Sequence, residues 1–179
     1  MKKFFKCLIL VVLILVFAFL TMKRIFPVRY IEYIEKYSAE YGVDKSLIYG
    51  LIKAESGFDE KAQSNKGATG LMQLTEETAL WCGEKMGLTL STEDIKDPET
   101  NIRIGTWYFS YLLDVTNSKE LAIISYNAGV NKVREWVEDG IITEEGMNFN
   151  AIPYEETKNY IKKVLIYEQI YITLYDMNP

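Results

Sequence analysis

Leu47-Ile48-Tyr49-Gly50-Leu51-Ile52-Lys53-Ala54-Glu55-Ser56 leads through a loop to Gly67-Ala68-Thr69-Gly70-Leu71-Met72-Gln73-Leu74. The first part is a short apolar helix, with Leu47, Ile48, Leu51 and Ile52 on one face and Asp44 placed as its N-cap. It delivers a carboxylate, Glu55, to the edge of a polar stretch, Ser56 to Gly70, rich in Gly, Ser, Asn and Thr. Outward from there, helical periodicity continues in both directions. Residues Tyr30–Tyr41 form a helix closed by Gly42. Thr75 opens another that runs to about Met86–Gly87, and Asp97-Pro98 opens a longer one ending near Val115. In that longer helix Ile102, Ile104, Trp107, Tyr108, Tyr111 and Leu112 are the candidate core. Lys119–Tyr126 is apolar almost throughout and reads as a central buried helix broken by Asn127-Ala128-Gly129. Asn131–Glu138 is short and amphipathic, Gly140–Pro153 a loop, and Glu155–Tyr175 the last long helix. Only Leu88–Leu90 and Ile141–Thr143 offer short strand-like pieces. The expected fold class is all-α, one globular unit after an N-terminal helix.

Composition narrows the chemistry. The 179 residues contain no His and two Cys. That excludes a Ser-His-Asp triad, a Cys-His dyad, His-ligated zinc and an imidazole base. Acid–base work falls to carboxylates, Lys or Tyr. Cys82 is the only cysteine after residue 24, so that part has no internal disulfide, and a small buried apolar role suits it.

The first 24 residues stand apart. Lys2, Lys3 and Lys6 precede an uncharged run from Cys7 to Met22, which Lys23 and Arg24 close. Sixteen residues give about 24 Å of helix, short against a hydrocarbon core of ~30 Å. Leu20-Thr21-Met22-Lys23-Arg24 offers no small-residue cleavage site beyond the run, which favours an uncleaved membrane anchor (residues 1–24) over a cleaved signal peptide. The three early lysines favour an N-terminus inside the cytoplasm. Five of the 20 bases and none of the 25 acids lie in this segment, so residues 25–179 carry a net charge of −10. Nucleic acid is a poor partner for such a surface; a glycan, read by hydrogen bonds and stacking, is not.

Four segments in order carry a family resemblance: Glu55-Ser56 with Ser64 nine residues on, Gly67 to Leu74, Ala122-Ile123-Ile124-Ser125-Tyr126-Asn127-Ala128-Gly129, and Ile152-Pro153-Tyr154-Glu155-Glu156-Thr157-Lys158-Asn159-Tyr160. The set resembles the catalytic domain of the soluble lytic transglycosylases, a lysozyme-like fold acting on peptidoglycan, over roughly Tyr30 to Ile172. The resemblance implies a bacterial envelope enzyme that needs no metal or cofactor and takes peptidoglycan glycan strands as substrate. The anchor is a feature of this chain rather than of the resemblance; with it, the catalytic domain is expected outside the cytoplasm, held by one membrane pass through residues 7–22. It implies Glu55 as the single acid/base, Ser64, Gln73, Tyr126, Asn127 and Glu156 as cleft residues, and Met72 packed against a sugar ring. The β-1,4 bond between N-acetylmuramic acid and N-acetylglucosamine would open with formation of a 1,6-anhydromuramyl end.

Read from position alone, Glu55 is also an ordinary charge at a helix end, Ser64 a loop serine, Tyr126 a packing tyrosine, Asn127 a cap and Glu156 a favourable first-turn acid. Trp81, Trp107 and Trp136 read as core more than as sugar platforms. Two rival functions fit the residues: a hydrolytic muramidase, which would add a second carboxylate such as Asp59 or Glu60, and a glycan-binding module without catalysis.

Overall fold

The computed structural model describes residues 2–143 and 149–177. Within them the chain is helical: α1 (Lys2–Ile25), α2 (Ile31–Tyr41), α3 (Lys45–Glu55), α4 (Glu76–Lys85), α5 (Pro98–Thr116), α6 (Lys119–Ala128), α7 (Val130–Glu138) and α8 (Glu155–Tyr175), with 3₁₀ turns at Asp94–Lys96 and Phe149–Ala151. Local chemistry sets several boundaries. Thr75 Oγ1 accepts from the Thr78 amide at the start of α4, and an Asp97 carboxylate oxygen accepts from Thr100 at the start of α5, ahead of Pro98. Ser118 caps α6 by accepting from Leu121. Asp44 departs from its expected role: its side chain makes no cap bond, and its backbone carbonyl starts the helix by accepting from Leu47 and Ile48.

The central element is α6, whose Ala122, Ile123 and Ile124 are fully buried. Around it α2, α3, α5 and α8 contribute Ile34, Leu47, Ile48, Leu51, Ile52, Ile102, Phe109, Leu112, Ile161 and Val164 to the main core. A smaller cluster of Leu74, Ala79, Cys82, Ile95 and Ile104 lies under α4. Burial pushes the Cys82 thiol up to about 12, so it stays a neutral apolar group. Helices α3 and α8 approach most closely at Gly50, where an added Cβ would lie 3.0 Å from the Glu168 amide nitrogen and 3.2 Å from the Val164 carbonyl oxygen. Buried Glu168 is held by Lys119 at 3.1 Å, linking the start of α6 to α8.

Two expectations change. Neither Leu88–Leu90 nor Ile141–Thr143 is a strand. The Leu88 amide folds back onto the Gly83 carbonyl, and the Ile141 and Ile142 amides onto Trp136, both as helix C-terminal closures. Among the described residues, extended pairing is confined to isolated bridges, Gln63 with Thr69 and Thr69 with Leu74, inside the polar loop. Of the loop expected over Gly140–Pro153, residues 144–148 lie outside the described residues. The second change concerns α1. It is a 24-residue helix that continues through Lys23 and Arg24, or about 36 Å, so the 16-residue apolar run understates its length. Lys3–Ile25 is long and apolar enough to cross a membrane, and none of its apolar window is buried.

Candidate functional site

Glu55 is the last residue of α3, half-buried against α8. The Tyr160 hydroxyl donates to its Oε1 at 2.5 Å. Lys163 does not reach the carboxylate; its Nζ donates to the Ala54 carbonyl at 2.8 Å and supplies positive charge nearby. Glu156, Tyr160 and Lys163 stand at i, i+4 and i+7, one face of α8. Burial dominates the electrostatics. It pushes the Glu55 carboxyl up from 4.5 to about 7, while the Tyr160 hydrogen bond and Lys163 pull it down and the negative charge of Glu156 adds to the rise. Tyr160 itself is pushed well above its ordinary range by burial and then by Glu55, so it remains a protonated donor.

Opposite α8 lies the loop between α3 and α4, fastened at three points. Ser56 donates to the Leu71 carbonyl at 2.8 Å and accepts from the Phe58 amide, tying the end of α3 to the loop. Buried Asn101 on α5 accepts from the Met72 amide at 2.8 Å and donates to the Thr69 and Ile95 carbonyls at 3.1 and 2.9 Å. Gly70, at φ 80°, sits so near this amide that a Cβ would meet it at 2.4 Å. The Tyr126 hydroxyl, on α6, donates to the Met72 carbonyl at 2.9 Å.

The expected site residues thus fall into distinct positions. Gln73 has a left-handed backbone (φ 48°) at the turn, and its Nε2 donates to Ala62 and Gly70 at 3.0 and 2.9 Å. Ser64 is exposed, its hydroxyl accepting from the Lys66 and Ala68 amides, so it shapes the loop. Asn127 Oδ1 accepts from Thr157 on α8 at 2.8 Å, joining the end of α6 to the opposite wall. Glu156 is exposed, with Lys66 of the loop 3.8 Å away across the gap between the walls.

Met72 is a correction. Its side chain is fully buried, with a Cβ on Gly105 placed only 2.4 Å from its sulfur, so it packs in the core while its amide and carbonyl are taken by Asn101 and Tyr126. Trp81 is another. With Tyr108 and Tyr111 it lines a groove of about 760 Å³ that also borders Gly129 and Asn131. The Tyr108 ring lies 5.4 Å from that of Tyr126. Trp136 is buried as expected, and Trp107 is half-buried beside Trp81. Tyr160 closes the fourth motif segment without an assigned role, and Lys163 and Asn101 are not among the expected site residues. Lys163 is signalled only by its spacing from Glu156 and Tyr160 on α8; Asn101 is signalled only as a polar residue inside an apolar helix face. Among the described residues, no three His, Cys, Asp or Glu side chains converge as a metal site.

The model of the transglycosylase SLT domain family matches residues 32–143, a span that contains Glu55, the loop and Tyr126. The chain belongs to this family. Its similarity to the soluble lytic murein transglycosylase of Escherichia coli K12 is 32% identity over 150 residues, 82% of this chain and 23% of that protein. The membrane-bound lytic murein transglycosylase C of Photorhabdus laumondii is 38% identical over 117 residues, 59% of this chain and 32% of that protein. Two solved structures share the fold. One is the 70 kDa soluble lytic transglycosylase of E. coli, with TM-score 0.78 and 29% identity over 85% of this chain and 25% of that one. The other is an inactive glutamate-to-glutamine mutant of lytic transglycosylase Slt from Pseudomonas aeruginosa, with TM-score 0.76 and 31% identity over 86% and 25%. The E. coli enzyme has also been solved with bulgecin A. The SLT chain described here therefore spans about a quarter of the soluble relatives it matches, and the SLT fold is all-helical and lysozyme-like.

Proposed function

We propose that this SLT chain is a peptidoglycan lytic transglycosylase held in the bacterial envelope by residues 1–24, with residues 25–179 as the catalytic unit. The observation that carries the reading is the state of Glu55: a half-buried carboxyl raised to about 7 and hydrogen-bonded by Tyr160. Such a group is protonated often enough near neutrality to serve as a general acid and ionises readily enough to serve as a base. Glu55 donates its proton to the glycosidic oxygen of N-acetylglucosamine as the bond to C1 of N-acetylmuramic acid breaks. The carboxylate so formed takes the proton of the muramyl C6 hydroxyl, whose oxygen closes on C1. No water is added, and Glu55 returns to its acid form. An intramolecular nucleophile has the advantage of proximity.

The carboxylates that a hydrolase would recruit are engaged elsewhere. Asp59 accepts from the Lys61 amide, and Glu60 accepts from the Tyr30 hydroxyl at 3.0 Å, both at the exposed edge of the loop. Gln73, Tyr126 and Asn127 serve by holding the loop and the two walls, with Glu156 and Ser64 at the rim.

The test is mass spectrometry of peptidoglycan digested by the full-length protein in detergent. 1,6-Anhydromuramyl ends, each one water lighter than a hydrolytic end, are expected. Reducing muramic acid ends would replace this reading by the muramidase. Binding without cleavage would replace it by the glycan-binding module. Glu55→Gln is expected to lose nearly all turnover, since general acid–base catalysis contributes about 10²–10⁴.

A further inference from the structure

The junction between α1 and the rest of the chain contains no free tether. Phe26 is buried, its ring 5.2 Å from that of Tyr167 and 5.8 Å from that of Tyr171. The next two carbonyls are taken by α8: the Tyr175 hydroxyl donates to Phe26 at 2.7 Å and the Tyr171 hydroxyl to Pro27 at 3.0 Å. Val28 packs on the core, and Tyr30 is bonded to Glu60 before α2 begins at Ile31. One turn back along α1, the Lys23 ammonium lies 5.1 Å from the Tyr175 ring centroid and 4.9 Å from that of Phe19. The last turn of α1 therefore rests on the C-terminal turn of α8, and beyond it the apolar surface of α1 is wholly exposed.

Helix α8 connects that junction to the acid. Tyr175 touches the exit of α1, and Tyr160, fifteen positions earlier on the same helix, touches Glu55. At ~1.5 Å per residue the two points are about 22 Å apart, whatever the tilt of the helix. Lys23 and Arg24 mark the headgroup level, since long basic side chains at the end of a spanning helix reach for the interface.

We infer that the substrate of the membrane-held protein is glycan lying against the outer face of the bilayer, a strand still attached to its polyprenyl-pyrophosphate carrier, because α8 is a strut that fixes Glu55 within about 40 Å of the headgroups, the helical rise plus the two tyrosine side chains and their contacts. This rests on the anchored transglycosylase reading. A flexible tether would relax the constraint: about 20 Gly/Ser residues reach roughly 25 Å on average and at most about 70 Å.

The experiment compares the full-length protein with a variant carrying such a Gly/Ser insertion between Ile25 and Phe26, which leaves the Phe26 and Pro27 contacts with α8 in place. Both are reconstituted in vesicles bearing polyprenyl-pyrophosphate-linked glycan, and the lengths of the lipid-attached stubs left after cleavage are measured. The unaltered protein is expected to leave short, uniform stubs and the insertion variant longer, more varied ones. Equal stub lengths would overturn the inference. In parallel, a dye on Asn65→Cys in a Cys7→Ser background reports energy transfer to headgroup-labelled lipid, a readout independent of turnover. Transfer is expected to fall on insertion, and unchanged transfer would also overturn the strut. Should that insertion abolish activity toward free glycan in detergent, the same insertion between Lys23 and Arg24 takes its place. The two readings fail separately. No cleavage of free strands in detergent by the unaltered protein would overturn the enzyme assignment, and a mature N-terminus beyond Met22 would overturn the anchor.

Discussion

Glu55→Gln removes a titrating group whose proton affinity the fold has raised, so the substitution has a stability signature separate from its effect on turnover. The carboxyl moves from 4.5 to about 7, chiefly through burial. A group that holds its proton more tightly when folded contributes stability that is fully present below its unfolded value. That contribution is lost as pH rises from 4.5 to 7, because the folded state then binds more protons than the unfolded. At ~1.36 kcal/mol per tenfold change in affinity, the full displacement amounts to about 3 kcal/mol of strain carried by the ionised form above neutrality. Partial exposure and water reduce this to about 1–3 kcal/mol. Gln keeps the shape and can still accept from Tyr160, so it relieves the strain without opening a cavity. The variant is expected to melt above the wild type at pH 8, by roughly 2–12 °C at about 2–4 °C per kcal/mol for a chain of this size, and to match it near pH 4. Thermal unfolding followed by circular dichroism across pH 4–8 reads this directly. A melting difference that is the same at both ends of the range would refute burial of the ionised carboxylate as the source of the shift.

Other outcomes follow from the same contacts. Tyr160→Phe deletes the hydrogen bond that favours the Glu55 carboxylate, so the alkaline limb of the kcat/KM profile is expected to move to higher pH, with a loss in rate of about tenfold or more; an unmoved limb would return Tyr160 to packing. Asn101→Ala strands the Met72 amide and removes a donor from the Ile95 carbonyl and from the Thr69 carbonyl, which keeps the Leu74 amide; it is expected to cost about 2–4 kcal/mol in urea unfolding, with activity falling faster than stability as the loop loosens. Tyr126→Phe unpairs the Met72 carbonyl and is expected to lower turnover roughly ten- to hundredfold with the fold retained, checked by circular dichroism. Gly50→Ala forces α3 away from α8 and is expected to destabilise by about 1–3 kcal/mol while weakening turnover, because the Glu55–Tyr160 pair lies on the same interface.

Elements with a chemical start signal were legible before any coordinates. Asp97-Pro98 and Thr75 each cap the helix they precede, and the apolar run Leu121–Ile124 lies in the core as its composition requires; the Ser118 cap of α6 emerged only from the structure. Asp44 sits at its helix start, yet its side chain is not the capping group. Met72 lies in a motif expected to line the cleft, but period and composition do not distinguish a residue that lines a cleft from one that anchors its loop to the core. What the sequence conceals are contacts between distant positions. Glu55 and Tyr160 are 105 residues apart, and Met72 and Asn101 are 29 apart. Tyr160 closes a motif segment, but nothing local in that segment names Glu55 as its partner. The helical spacing of Glu156, Tyr160 and Lys163 becomes informative only once α3 is known to lie along α8.

That dependence on α8 orders events during synthesis. The acid is made early and its hydroxyl partner near the end of the chain, so a nascent polypeptide ending before residue 155 carries Glu55 with no second wall, no Tyr160 and no strut. The Glu55–Tyr160 pair can form only after α8 has been made and has docked on α3. Until then the Glu55 carboxyl lacks both the burial and the hydroxyl donor that set its proton affinity, so docking of α8 gives the carboxyl its altered acidity in the same step that closes the core.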